Sequence, residues 1–96
     1  MVTERAELSG DGWKCLVTVE QGGDRTTHVV TVKKADVERW ARGTETSDVQ
    51  DLVLRSFEFL LEREPASSIL KTFDLATIQR YFPEYDRLIR HGSMDS

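Results

Sequence analysis

Two alternating segments flank a Gly-Gly pair within residues 13–32, which read WKCLVTVEQGGDRTTHVVTV. In each segment apolar and polar side chains alternate with a period of two, the pattern of a β-strand with one buried face. Gly22 and Gly23 can both adopt the positive φ angles that a two-residue hairpin turn requires. The sequence therefore predicts an antiparallel β-hairpin centred on these two glycines.

The position of the turn also predicts which residues face each other. If Gly22 and Gly23 form the loop, opposing residues lie at equal distances from it, and Glu20 faces Arg25. The apolar face then carries the cross-strand pairs Trp13–Val32, Cys15–Val30, Val17–His28 and Val19–Thr26. A shift of one residue would turn the charged side chains toward the core. We therefore expect this register to be strongly preferred.

The residues before the hairpin offer a further strand. Residues 9–12, Ser-Gly-Asp-Gly, have turn chemistry, and a turn there places Leu8 opposite Trp13. Val2, Ala6 and Leu8 would then lie on the apolar face of the hairpin. A hairpin alone is only marginally stable, so this strand, the helices or a second subunit must complete the sheet. The sequence leaves a two-stranded and a three-stranded sheet open.

After the hairpin, apolar residues recur every three or four positions, which is the helical spacing. Residues 35–42 predict a short helix with Gly43 as its C-cap. Ser47 and Gln50 match a capping box, so we expect a long helix to begin there and to end before Pro65. Its apolar stripe comprises Val49, Leu52, Val53, Ser56, Phe57, Leu60 and Leu61.

The remaining residues predict three short helices. Asp74 is a candidate N-cap and Pro83 a candidate first-turn residue. The predicted helices span residues 65–73, 75–82 and 84–90. The expected fold is therefore a single α+β domain over residues 1–92, with an antiparallel two- or three-stranded sheet packed on the long helix. Residues 93–96 are expected to form a disordered tail.

Composition excludes several classes of function. The formal net charge is −4 and both halves of the chain are slightly acidic, so no basic patch indicates a nucleic-acid partner. No apolar run approaches the roughly 20 residues that span a bilayer, which argues against a membrane protein. The single Cys15 cannot form an intramolecular disulfide, and no signal peptide is visible, so we expect a cytoplasmic protein.

Two segments carry a resemblance to known proteins. They are RSFEFLLEREP, residues 55–65, and FDLATIQRYFPEY, residues 73–85. Together they resemble a group of small bacterial cytoplasmic proteins to which no activity is assigned. The resemblance implies a bacterial, cytoplasmic protein, and it transfers no catalytic residue, cofactor or partner.

The best candidate for catalysis is the pair Cys15 and His28, which the predicted register places as diagonal neighbours on one face. A histidine can activate a thiol, but diagonal Cβ atoms lie about 7 Å apart, and this face is expected to be packed under the long helix. His28 and His91 have no ligand-spaced neighbours, and Gly22-Gly23 lacks a phosphate-loop frame. We therefore expect no enzyme, no metal and no cofactor.

The residue types enriched at protein interfaces recur late in the chain. The candidate interaction surface consists of Leu54, Phe59, Arg80, Tyr81, Phe82, Tyr85 and Arg87. The same aromatic residues would also serve to close the helical core, and the sequence leaves both interpretations open. The predicted function is a small non-enzymatic protein-interaction or regulatory module that can self-associate.

The alternative function is nucleic-acid binding. Residues 67–72 and 74–82 resemble two short helices joined by a tight turn, loosely like a helix-turn-helix. Lys71 and Arg80 are the only cations in that segment, whereas DNA binders draw affinity from many phosphate contacts. The interaction module is therefore the preferred hypothesis.

Overall fold

The structure is a computed structural model that describes the backbone of residues 2–91 and the side chains of residues 2–89. The predicted tail, residues 93–96, lies outside the described residues. The elements are β1 Val2–Ser9, β2 Gly12–Gln21, β3 Asp24–Lys33, α1 Lys34–Trp40, α2 Thr46–Arg63, a 3₁₀ turn Ala66–Ser68, β4 Thr72–Asp74, α3 Thr77–Tyr81 and α4 Tyr85–His91. The α+β class predicted from the sequence is confirmed.

The sheet has four strands in the order β1-β2-β3-β4, so the prediction of two or three strands was wrong. The first three strands are antiparallel neighbours, and β4 pairs in parallel with β3. The helices pack on one face of this mixed sheet. The other face is largely open to solvent, with Leu16 at its centre 46% exposed.

The register of the hairpin is confirmed. Cys15 lies opposite Val30, and Glu20 lies opposite Arg25. Gly22 and Gly23 have φ angles of +61° and +88°, the left-handed pair that a two-residue turn with matching strand twist requires. The predicted apolar face is buried at Trp13, Cys15, Val17 and Val19 of β2 and at His28, Val30 and Val32 of β3, whereas Thr26 near the turn is half-buried.

The third strand, β1, is also confirmed in the predicted register, with Leu8 opposite Trp13. Gly10 adopts a φ of +59° in the turn that joins it to β2. Leu8 itself is 71% exposed, because it lies at the end of the edge strand. Glu4 lies on the helix-covered face, opposite Val17.

The long helix α2 begins earlier than predicted. Its N-cap is Glu45, and the capping box is formed by Glu45 and Asp48, with the Asp48 carboxylate accepting a hydrogen bond from the Glu45 backbone N–H at 3.1 Å. The predicted box of Ser47 and Gln50 was therefore wrong by two residues, because two acidic residues meet the same spacing requirement. The helix ends at Arg63, before Pro65, as predicted.

The segment predicted as a helix over residues 65–73 is instead a 3₁₀ turn followed by the short strand β4. The Val29 N–H donates to the Lys71 carbonyl at 2.7 Å, and the Leu75 N–H donates to the Thr31 carbonyl at 2.8 Å. These long-range bonds satisfy backbone groups of β3 that a local helix would leave unpaired. The helix prediction failed because hydrogen bonding to the outer edge of β3 determines the conformation of this segment.

Of the two last helices, α3 is shorter than predicted and α4 is displaced by one residue at the same length. Asp74 belongs to β4 and does not cap α3, which begins at Thr77, and α4 begins at Tyr85. The short helix α1 was predicted within two residues, but its C-cap is Ala41 rather than Gly43. Trp40 of α1 donates from Nε1 to the Asp86 carboxylate at 2.7 Å, which links α1 to α4.

One core joins the sheet to the helices. Its fully buried side chains include Val17 and Val30 from the sheet, Leu52 and Phe57 from α2, and Tyr85 from α4. Phe57 packs its ring on His28 of β3 and on Phe73 of β4, with centroid distances of 5.4 and 6.1 Å. Of the helices in residues 2–91, none combines the length and apolar composition that crossing a bilayer requires.

We expect Phe57→Ala to lower the free energy of unfolding by about 3–5 kcal/mol, because it removes the ring that joins α2 to β3 and β4. Leu16→Ala is the control, since Leu16 lies on the open face, and it should change stability by less than about 0.5 kcal/mol. Urea unfolding measures both. Equal losses for the two variants would contradict the assignment of the buried face.

We expect Gly22→Val to destabilise the fold by about 1–2 kcal/mol, because a β-branched residue is strained at positive φ. A Cβ at this position meets no atom within 4 Å, so the penalty comes from the backbone and not from a clash. Gly22→Asn should cost less, because Asn tolerates this conformation. Thermal unfolding measures the stability of both variants. Equal stability of the valine and asparagine variants would contradict the turn geometry.

Candidate functional site

The residues of the predicted interaction surface fall into three groups. Phe59 is 8% exposed and Tyr85 is fully buried, so both contribute to the core of the domain. Leu54 and Phe82 are half-buried. The exposed members are Arg80, Tyr81 and Arg87. The surface as a whole stays a prediction, and its outward-facing part is the neighbourhood of Tyr81.

The buried members form an aromatic cluster between α2 and α4. The Phe59 ring meets the rings of Phe82 and Tyr85 edge-on, with centroid distances of 5.8 and 5.3 Å. The guanidinium of Arg63 lies 3.8 Å above the Phe59 ring, in cation–π contact. The cluster closes the core at the point where the chain turns from α3 into α4.

The Tyr85 hydroxyl is tied into this cluster. It donates to Ser56 Oγ at 2.6 Å, because Ser56 uses its own proton to bond the Leu52 carbonyl at 2.7 Å. Burial raises the pKa of Tyr85, so the phenol keeps its proton. Of the two tyrosines in the predicted interaction surface, Tyr85 is therefore a core residue, whereas Tyr81 is exposed.

Next to this cluster lies a cleft of about 410 Å³ between the end of α2, β4 and α3. Most of its lining is apolar and includes Leu60, Ile69, Leu70, Phe73, Ile78 and Tyr81. Polar side chains at the cleft are Glu64, Ser68 and Thr77. Leu70 and Tyr81, both of which line the cleft, are 51% and 68% exposed.

The cleft is held open by the connection between α2 and β4. His28 donates from Nδ1 to the Leu70 carbonyl at 2.8 Å, since a carbonyl only accepts, and Nε2 accepts from the Thr26 hydroxyl at 2.8 Å. This bond fixes the backbone of Leu70 against β3, and its side chain points away from the core. Sequence analysis did not identify Leu70 as a site residue, because it follows the equally apolar Ile69 in a segment that was predicted as a helix.

Cys15 and His28 lie on the same face, as the register predicted, but both are buried. Burial raises the pKa of the Cys15 thiol to about 12, with a smaller contribution from the charge of Glu4. Both ring nitrogens of His28 are bonded to Thr26 and to Leu70. The arrangement favours a neutral thiol and a structural histidine.

Glu4 is a half-buried carboxylate on the helix-covered face of β1. Its Oε2 atom is inaccessible and has no hydrogen-bond partner among the described residues. Burial, and then the charge of Asp51 on α2, raise the pKa of Glu4 to about 7. Asp51 is itself paired with Arg55 at 2.8 Å. The sequence offered β1 as a strand, but it did not indicate that the Glu4 carboxylate would lie beneath α2.

Two chemical possibilities find no support in residues 2–89. No three His, Cys, Asp or Glu side chains of this region are grouped so as to hold a metal ion. The helix pair required by the helix-turn-helix interpretation is also absent there, because its first member is replaced by the 3₁₀ turn and β4.

Comparisons with known proteins add no assignment. No protein-family model, no curated protein and no solved structure matches this chain. The functional argument therefore depends on the residues and geometry described above.

We expect Glu4→Gln to stabilise the protein more at pH 8 than at pH 5. A carboxyl whose pKa is raised in the folded state destabilises the fold once it ionises, so stability falls as the pH rises from about 4.5 toward about 7. Glutamine removes this dependence because it cannot ionise. Urea unfolding at both pH values measures the difference.

The control is Glu38→Gln, which alters an exposed carboxylate on α1. Because Glu38 is exposed, this substitution should change the free energy of unfolding by less than about 0.5 kcal/mol. A pH-independent effect of Glu4→Gln would show that Glu4 ionises normally in the folded protein.

Proposed function

We propose that this chain is a small non-enzymatic protein-interaction module that receives apolar side chains of a partner protein in the cleft beside α3. The observation that carries the proposal is the joint exposure of Leu70 and Tyr81 at that cleft. Large apolar side chains that are exposed next to each other gain free energy when a partner removes them from water.

The shape of the cleft favours a protein over a small molecule as the occupant. Small-molecule pockets enclose most of the ligand surface and carry polar groups that converge on it. Here Leu70 and Tyr81, which line the cleft, keep more than half of their surface exposed, so the cleft does not enclose an occupant on all sides. A partner surface that presents an apolar side chain fits such an open cleft.

The non-enzymatic part of the proposal is supported by the state of Cys15 and His28. Thiol chemistry requires an accessible thiolate, whereas Cys15 is buried and its pKa is raised to about 12. The ring nitrogens of His28 are occupied by bonds that position Leu70. Cys15 thus contributes to the core, and His28 positions the backbone of the cleft residue Leu70.

The test compares capture of proteins from an extract of the source cells by the wild type and by variants. Leu70→Asp and Tyr81→Asp place a charge at the cleft and should reduce capture of its partner by about tenfold or more, a loss of about 1.4 kcal/mol. Leu16→Asp is the matched control, since it changes an exposed leucine on the open face of the sheet.

The proposal requires a protein that is retained by the wild type and by Leu16→Asp and lost from both cleft variants. Identical capture by all four proteins would contradict it. Salt-sensitive retention of the wild type on duplex DNA would contradict it as well and would favour the alternative function, nucleic-acid binding.

A further inference from the structure

We propose that two copies of this chain pair through β1 to form one continuous antiparallel sheet. In this pairing Ala6 lies on the twofold axis, Arg5 faces the partner's Glu7, and Leu8 faces the partner's Glu4. The inference deepens the proposed interaction function by naming a second copy as one partner. It uses a different surface from the cleft, so either can fail without the other.

The outer edge of β1 is available for such pairing. β1 is an eight-residue strand at the end of the sheet, and β2 is its only neighbour among the described strands. The turn at residues 9–12 directs the Ser9 carbonyl at the Gly12 N–H, and hydrogen-bonded pairs alternate from there. The backbone groups of Val2, Glu4, Ala6 and Leu8 therefore point to the open edge.

Among the registers centred on residues 4–7, the charges on β1 favour one. In a continuous sheet with a twofold axis perpendicular to it, each strand residue faces a partner residue on the same side of the sheet. An axis at Arg5 or at Glu7 would place like charges directly opposite each other, and an axis at Glu4 would do the same. An axis at Ala6 instead forms the Arg5–Glu7 pair twice.

Both members of this pair are available on the open face. Arg5 and Glu7 are exposed, and neither forms an ion pair with another described residue. Their pairing falls at the positions between backbone hydrogen bonds, where facing side chains approach most closely. Ala6, at the axis, is small enough to let the two strands meet on the helix-covered side.

The same register covers the exposed Leu8. Glu4, Val17 and His28 form one cross-strand row, and α2 crosses the sheet along it, with Asp51 near Glu4 and Phe57 on His28. Leu8 lies four residues further along β1 and is 71% exposed. In the dimer, Leu8 faces the partner's Glu4. It therefore extends the partner's row of Glu4, Val17 and His28 and lies beneath the partner's α2. The dimer thus buries the most exposed large apolar side chain among those described.

A charge swap tests the register. Arg5→Glu places a carboxylate opposite the partner's Glu7, and Glu7→Lys places an ammonium opposite the partner's Arg5. Each change converts two attractive pairs into two repulsive ones and should weaken dimerisation by about tenfold or more. The double variant Arg5→Glu/Glu7→Lys restores both pairs with reversed polarity and should dimerise like the wild type.

Sedimentation equilibrium at low ionic strength measures the dissociation constant of each variant, and thermal unfolding by circular dichroism verifies that each is folded. Glu38→Lys, a charge reversal at an exposed residue of α1, is the control and should leave dimerisation unchanged. The expected result is weakening by each single change and rescue by the double change. A wild type that is monomeric at millimolar concentration would overturn the proposal, as would single variants that dimerise normally or a double variant that fails to recover.

Discussion

The register of the β2–β3 hairpin is the constraint on which the rest of this structure depends. Gly22 and Gly23 form the turn, and their positive φ angles fix which residues face each other over both strands. Because side chains alternate along a strand, this choice places Val17, His28 and Val30 under the helices. It also directs Lys14 and Thr31 to the solvent. A shift of one residue would exchange the two faces.

The C-terminal half of the domain packs on the buried face of the sheet and bonds to the outer edge of β3, both of which follow from this register. His28 reaches the Leu70 carbonyl, and β4 bonds to the edge of β3 through Val29 and Thr31. These bonds hold the chain between α2 and α3, where the cleft forms. The cleft lies beside β4, whereas β1 lies at the opposite edge of the sheet. Cleft binding and strand pairing are therefore spatially compatible.

The sequence predicted the features that depend on local patterns. Alternation and turn residues specified β2 and β3 together with their pairing, and helical spacing specified α2. They offered β1 only as an alternative, with the pairing that the structure shows. The start of α2 was ambiguous because Glu45 with Asp48 and Ser47 with Gln50 both have capping-box spacing. The strand β4 was not predictable in this way. It has three residues, and its parallel pairing depends on β3, which is more than 40 residues earlier in the chain.

The candidate site was predictable only in part, for a related reason. Aromatic and arginine residues are frequent in interfaces, but they also fill cores, and the sequence does not distinguish the two uses. Tyr81 and Tyr85 lie one helical turn apart in sequence, yet the first is 68% exposed and the second is fully buried. Their difference arises from long-range packing on Phe59 and Ser56. Leu70 was recognised as a site residue only from its exposure at the cleft, where its backbone carbonyl accepts a hydrogen bond from His28.

The measurement that tests the central claim most directly is an NMR survey of contacts between Hα protons across the hairpin. In the register described here, Leu16 faces Val29 and Thr18 faces Thr27 at positions between backbone hydrogen bonds, where Hα protons approach closely. The account predicts strong cross-peaks for both pairs. Cross-peaks between Cys15 and Val29, or between Val17 and Thr27, would show a register shifted by one residue. That result would contradict the assignment of the buried face and the positions of the cleft and the β1 charges that follow from it.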